Sequence, residues 1–310
     1  MTREPITLGG QRVGRLRASM LLCQEAFRFL RADKEILWFP VLAFLLQCFL
    51  LGLFFFAFIA GYVAVAEGTA HQSAVVYALV FGVYIICAFT LALAQAGIAH
   101  IVSTRLHGGN ATLGDGIGVA VSHAGSLLVW SIVTSTVGII LRSIAERSRI
   151  LGAIVAAVFG VMWGVLTYFV VQAIVIDNKD AFAAIHQSGA TFRKTWGETL
   201  MSNISLGLVF FVAHVLVLVS CVGLSALIVV VPGEALSLGI FLIVIWVLYM
   251  VWFIGAVMVH SSLDSILRTL LYVYASEGTV PQNFNKELLD QMLVRSAIKV
   301  PQSPTMTPTA

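Results

Sequence analysis

Six stretches of this sequence contain no Asp, Glu, Lys or Arg: residues 36–66, 68–104, 116–141, 150–176, 199–233 and 235–263. The shortest has 26 residues and the longest 37, and a helix needs about 20 apolar residues to cross roughly 30 Å of hydrocarbon. Each stretch is therefore long enough for one crossing and too short for two with a turn between them. In lipid a backbone must satisfy its own hydrogen bonds, which leaves only helices or closed barrels. Barrel strands alternate apolar and polar residues, and runs such as LAFLLQCFLLGLFFFAFIAG do not. The pattern predicts an all-α, polytopic membrane helix bundle with spans near 38–60, 76–100, 120–141, 150–175, 202–230 and 237–262. Charged residues make up 11% of the chain and apolar residues 59%. Soluble domains carry about 25% charged residues, and disorder needs low hydrophobicity, so both of those classes are excluded.

The first apolar run begins near residue 36 and is longer than the 7–15-residue apolar region of a cleaved signal, so none is expected. Lys and Arg collect on the cytoplasmic side of short loops. With the N-terminus inside, 15 basic residues fall on the inner segments and only Arg142, Arg147 and Arg149 on the outer ones. Both termini are expected in the cytoplasm. The loop at 142–149 runs against the rule; Glu146, four residues after Arg142, can pair with it on a helical turn. A rival reading lets 116–141 enter and leave on one side.

Residues 11–35 are expected to form an amphipathic helix, because Val13, Leu16, Met20, Cys23, Phe27 and Leu30 recur at alternating spacings of three and four. Arg12, Arg15, Arg17, Arg28, Arg31 and Lys34 are candidate contacts to anionic lipid headgroups, each worth about 1 kcal/mol near such a surface. The same helix could instead dock on the protein's own cytoplasmic face. Phe39-Pro40 marks entry into the first span, since Pro suits the first helical turn. A second amphipathic stretch, 180–200, precedes span five, and a weaker one, 111–123, precedes span three. The chain thus reads as three units, each an interfacial elbow followed by two spans. Residues 277–299, with Phe284, Leu288, Leu289 and Met292, read as a C-terminal surface helix, and the Pro/Thr-rich 300–310 as a disordered tail.

The runs VWSIVTSTVGIILRSIAERS (129–148), LTYFVVQAIVIDN (166–178) and SGATFRKTWGETLMSN (188–203), with FLRADKEILWFPVL (29–42) and YASEGTVPQNF (274–284), resemble an uncharacterised family of bacterial integral membrane proteins. It is the domain-of-unknown-function family numbered 6159. The resemblance implies a bacterial inner-membrane protein and brings no activity, substrate or catalytic residue. Where the family pattern would place Pro-Val after TYFVV, this chain has Gln172-Ala173, so a Pro kink is lost there.

Gly152, Ala156, Gly160 and Gly164 recur every fourth residue in span four, as do Ala88, Ala92 and Ala96 in span two. Small residues let helices approach closely in lipid, either within one protomer or between two copies. Ser131, Thr134, Ser135 and Thr136 make a hydroxyl cluster in span three, read as a polar packing seam or as the lining of a polar path. His214 is the most deeply placed titratable group, with either a bonded structural role or a functional one. His100, His260 and Asp264 collect at one side of the membrane; His and carboxylate suit zinc, and a helix-end hydrogen bond is the plainer reading.

The absences are equally informative. No carboxylate or lysine lies within a span, as coupled transporters require, and no Pro interrupts one, so no broken helix is expected. Phosphate-binding, dinucleotide-binding, zinc-protease and nucleophile-elbow motifs are missing. The expectation is a non-enzymatic scaffold that interacts with lipid or a partner, with no catalytic residue and no cofactor. Its partners would be anionic lipid, a second copy or another membrane protein. Nucleic acid is not expected, because the polyanion nearest the basic N-terminal helix is the headgroup layer. The alternative is a passive channel or carrier for a small solute, lined by the span-three hydroxyls.

Overall fold

The computed structural model describes residues 6–8, 11–13, 15–66, 72–147, 151–230 and 235–277, with side chains from Cys23 onward except at 64–65, 72–76, 194–204, 227–230 and 235–237. The described elements are strands Ile6–Leu8 (β1) and Gln11–Val13 (β2), then helices Arg15–Ala32 (α1), Trp38–Ala66 (α2), Gln72–Leu106 (α3), Leu113–Ser122 (α4), Ala124–Arg147 (α5), Leu151–Leu166 (α6), Val170–Ile176 (α7), Ala181–Val230 (α8) and Ala235–Glu277 (α9). A 3-10 turn at Lys34–Leu37 joins α1 to α2. Six segments are long and apolar enough to cross a membrane. The architecture is an all-α membrane helix bundle carrying one small antiparallel hairpin, in which Ile6 faces Val13 and Leu8 faces Gln11.

Packing is concentrated at one end of this bundle. The buried residues come from the ends of α1 to α5 that meet there, from α7, from α8 between Ala181 and Leu206 and from the last third of α9. Elsewhere the spans expose large apolar side chains, among them Phe49, Phe56, Phe159, Phe211, Leu216, Leu248 and Val251. The physical reason is the solvent. Lipid tails are as apolar as Leu, so inside the bilayer no hydrophobic force drives helices together. Toward the ends of the spans, where water is within reach, each large apolar side chain removed from it contributes about 1.5–3 kcal/mol. The clearest case is α9: between Ser262 and Tyr274 every residue is buried except the half-buried Asp264 and Arg268. That stretch is the central post of the packed end.

Three expectations change. The N-terminal helix begins at Arg15, because residues 11–13 pair as a strand with 6–8; the two intervening residues are Gly9 and Gly10, a composition suited to hairpin links. The predicted elbow before span five is not separate, since α8 runs unbroken from Ala181 to Val230. The sequence there changes amphipathic pattern but holds no Pro, and a continuous helix keeps all its internal hydrogen bonds. The first and third spans are preceded by distinct helical segments, and the fifth by the opening turns of its own helix. Span four, expected to be uninterrupted, is broken between Leu166 and Val170. The expected surface helix and tail beyond Glu277 lie outside the described residues.

The break is stabilised by side chains from elsewhere in the chain. The Phe169 amide donates to Ser188 Oγ (2.9 Å) and Arg268 Nη1 donates to the Tyr168 carbonyl (3.2 Å). Two backbone groups that would otherwise be stranded in the interior thereby find partners. After α7 the chain turns at Asn178, whose φ of 51° lies in the left-handed region that Asn tolerates. His123 Nε2 holds Asn178 Oδ1 at 3.0 Å, and Asp180 Oδ1 caps α8 by accepting from the Ala183 amide (2.7 Å). Helix α4 opens with a reciprocal cap between Thr112 and Asp115, while Glu35 Oε2 accepts from the Leu113 amide (3.2 Å).

One ring locks α2 to α3 and α4. Phe39, 4% exposed, lies in a slot floored by Gly97 and Gly116. A Cβ at Gly97 would overlap the ring edge, and one at Gly116 would sit 2.5 Å from Phe39 Cζ and 3.1 Å from the Gly97 carbonyl.

Candidate functional site

Polar chemistry gathers where the packing does. Arg105 Nε lies 2.6 Å from Asp33 Oδ2, tying the entry to α2 against the end of α3. Burial holds the Asp33 carboxyl above the usual carboxylate range, and Arg105 offsets only part of that. Tyr272, fully buried, donates to Asp177 Oδ2 at 2.6 Å. His107 Nε2 meets Glu277 Oε2 at 2.8 Å, and this bond, with the Ser103 carbonyl on the other ring nitrogen, raises the imidazole's pKa. Asp115 is held below its usual range by the Thr112 amide and hydroxyl.

Within this end lies a cavity of about 520 Å³. Its walls are Ala88, Leu91, Ala92 and Gln95 of α3, Trp130 and Thr134 of α5, Gly164 of α6, Thr167 and Tyr168 of the break, Val171 of α7 and Arg268 of α9. Arg268 is held on two sides: its Nε donates to Asp264 Oδ2 (2.7 Å), and its guanidinium carbon lies 4.1 Å above the Tyr168 ring centroid. Tyr168 packs edge-on to Phe169 and Phe192, which fixes the ring beneath the guanidinium. Of the five N–H groups of arginine, one meets Asp264 and one meets Tyr168. The others have no hydrogen-bond acceptor among the described residues. Arg268 retains 24% of its side-chain surface while lining the cavity.

Of the span-three hydroxyls, the cavity receives Thr134 alone, whose Oγ1 also accepts from Trp163 Nε1 (3.5 Å). Ser131 is buried and donates to the Leu127 carbonyl. Ser135 is buried without a partner among the described residues. Thr136 lines a separate cleft of about 1000 Å³ between α3 and α5, edged by Tyr77, Arg142 and Glu146; Arg142 and Glu146 pair at 2.8 Å, as their spacing predicts. His214 is held apart, with Nδ1 2.9 Å from the Phe210 carbonyl and its ring against Trp252 and Phe253.

His100, His260 and Asp264 do not assemble into a site: no group of three His, Cys, Asp or Glu placed to hold a metal ion occurs among the described residues. Asp264 is committed to Arg268, and His260 lies edge-on to Phe210. In the small-residue stripe, Gly152 abuts the Ile144 and Ala145 carbonyls of α5, a contact within one protomer. Ala156 is half-buried, a Cβ at Gly160 would lie 3.8 Å from Leu141 Cδ1, and a Cβ at Gly164 would meet nothing within 4 Å.

The candidate headgroup contacts divide. The side chains of Arg12, Arg15 and Arg17 lie outside the described residues. Arg28, Arg31 and Lys34 are exposed; Arg28 pairs with Glu25 and Arg31 stacks on Phe27. Helix α1 itself lies against α8 and α9, with Ala26 and Leu30 buried, so part of its apolar face is covered by protein.

Arg268, Tyr168, Gln95 and Trp130 were not singled out by sequence reasoning. The available signal was the i,i+4 pairing of Asp264 and Arg268 at the end of a span; the convergence of the other residues had none.

No curated protein matches this chain. The model of a family of unknown function (DUF6159) matches residues 74–282, a stretch that contains every residue lining the cavity. The match covers more than half of a chain with six membrane-spanning helices, and this multi-pass membrane protein belongs to that family of unknown function.

Proposed function

We propose that the protein is a non-enzymatic membrane scaffold that interacts with lipid, seated in a bacterial inner membrane with its packed end and both termini in the cytoplasm. The observation that carries the reading is the division of the molecule into lipid-facing spans and one compact, ion-paired helical head. The basic residues support the orientation: Arg28, Arg31, Lys34, Arg105, Lys179, Arg193 and Arg268 belong to the head end, and Arg142 and Arg147 to the other. Arg28, Arg31 and Lys34, on its exposed surface, suit anionic headgroups. The channel alternative is less well supported, because the span-three hydroxyls are distributed between bonded, buried and separate positions.

The test uses the full-length protein. Extracted in native-membrane nanodiscs, it should enrich anionic lipid over the surrounding membrane, and charge reversal at Arg28, Arg31 and Lys34 together should reduce that enrichment. Equal enrichment in the variant counts against the lipid role. Liposomes containing the protein should release small solutes no faster than empty ones; faster release that Thr134→Val alters would establish the channel. A reporter fused after Arg147 that reads cytoplasmic would overturn the orientation.

A further inference from the structure

We infer that the Arg268 cavity is a binding site for the phosphate or carboxylate headgroup of an amphiphile, whose tail leaves between α3 and α6 into the bilayer. This deepens the lipid-interacting reading and takes the source of the ligand from it.

Three observations carry the assignment. The first is polarity. Arg268, Gln95 and Thr167 lie toward the packed end, whereas Ala88, Leu91 and Gly164 lie nearer the middle of their candidate spans, with Thr134 the one hydroxyl beside them. From Gln95 to Ala88 is seven residues of helix, about 10 Å along its axis, so the cavity runs from a charged end to a mostly apolar one over roughly the depth of a headgroup and the start of a chain. The second is access. Leu91 is 48% exposed and Gly164 is exposed with open space beside it, so the apolar end reaches the lipid-facing surface. The third is the donor set. Arg268 is oriented by Asp264, the Tyr168 carbonyl and the Tyr168 ring, lines the cavity, and has further N–H groups with no acceptor among the described residues. A planar fork of donors suits phosphate and carboxylate oxygens better than a point charge does. Because Asp264 balances the charge, recognition rests on hydrogen bonds to headgroup oxygens rather than on net attraction. The volume, about 520 Å³, falls within the usual range for small-molecule sites.

The experiment uses delipidated full-length protein in detergent and native mass spectrometry. Dioleoylphosphatidylglycerol is the probe, with dioleoylglycerol and inorganic phosphate as its separate halves. Wild type should retain one phosphatidylglycerol per chain and bind dioleoylglycerol at least tenfold more weakly. Gly164→Leu starts from a Cβ position with nothing within 4 Å and occupies the apolar end of the cavity; it should lower phosphatidylglycerol affinity at least tenfold with an unchanged melting temperature. Arg268→Lys should lower it as well, since charge is kept and the fork is lost. Retention by Gly164→Leu equal to wild type overturns this site while leaving lipid interaction elsewhere intact. Retention of dioleoylglycerol as tight as phosphatidylglycerol removes the headgroup from the proposal. Displacement of the lipid by millimolar inorganic phosphate would make the ligand a free anion. No retention by wild type would defeat both this site and the lipid-interacting reading.

Discussion

The Phe39 slot allows a sharp test of the packed end. Phe39 is buried at the start of α2, and its ring occupies the space that a methyl group at Gly97 would need. Truncating a buried Phe to Ala costs about 3–5 kcal/mol. Forcing an extra methyl group into a filled core costs about 1–3 kcal/mol, while replacing Gly by Ala within a helix returns about 1 kcal/mol. Gly97→Ala should therefore be neutral to destabilising by about 2 kcal/mol in wild type, since the ring must move. With Phe39→Ala already made, the methyl group has room, and Gly97→Ala should stabilise by about 1 kcal/mol. Helix propensity cancels around this double-mutant cycle, leaving a coupling of about 1–3 kcal/mol between the two sites. Gly116→Ala provides a contrast: the Gly97 carbonyl stands 3.1 Å from its Cβ position whether or not the ring is present, so removing Phe39 should rescue it less. The assay is equilibrium unfolding in mixed detergent and dodecyl sulfate micelles, followed by circular dichroism. Coupling below about 0.5 kcal/mol, the ordinary error of additivity, would refute the slot.

Other predictions concern the polar groups of the same end. Arg105→Met should destabilise by about 3–5 kcal/mol because it leaves the Asp33 carboxylate buried and unpaired, and adding Asp33→Leu should recover most of the loss; the same unfolding assay reads both. His107 has a raised folded-state pKa through Glu277, so its contribution is complete below the ordinary imidazole value of about 6.5 and is lost as pH rises through the folded-state value. The melting-temperature difference between wild type and His107→Ala should accordingly shrink on going from pH 6 to pH 9, and a constant difference would count against the pair. Gln172 is fully buried, with neither amide atom bonded among the described residues. Gln172→Met, similar in shape without the amide, should stabilise by about 1–3 kcal/mol, and a fall in stability would show that the amide has an essential partner.

Some of this was plain in the order of residues and some was not. Hydrocarbon does not admit charge, so a run free of Asp, Glu, Lys and Arg declares a span with no knowledge of its neighbours; all six follow from that rule. Local pairs at helical spacing, such as Arg142 with Glu146, are legible for the same reason, since one helix fixes both partners. The break in span four was not legible. Thr167, Tyr168 and Phe169 carry no Pro or Gly, and the groups that stabilise it, Ser188 and Arg268, lie 19 and 100 residues away. Likewise, the regular stripe has a close approach at Gly152, against the Ile144 and Ala145 carbonyls, and open space at Gly164, while Gly97, pressed by Phe39, and Gly82, pressed by Phe54, lie outside the stripe. The cavity draws on residues from Ala88 to Arg268, brought together only by the packing of four separate spans against one another. Solubility in oil is a property of each segment alone; the meeting of distant segments is decided by the packing of one helix against another.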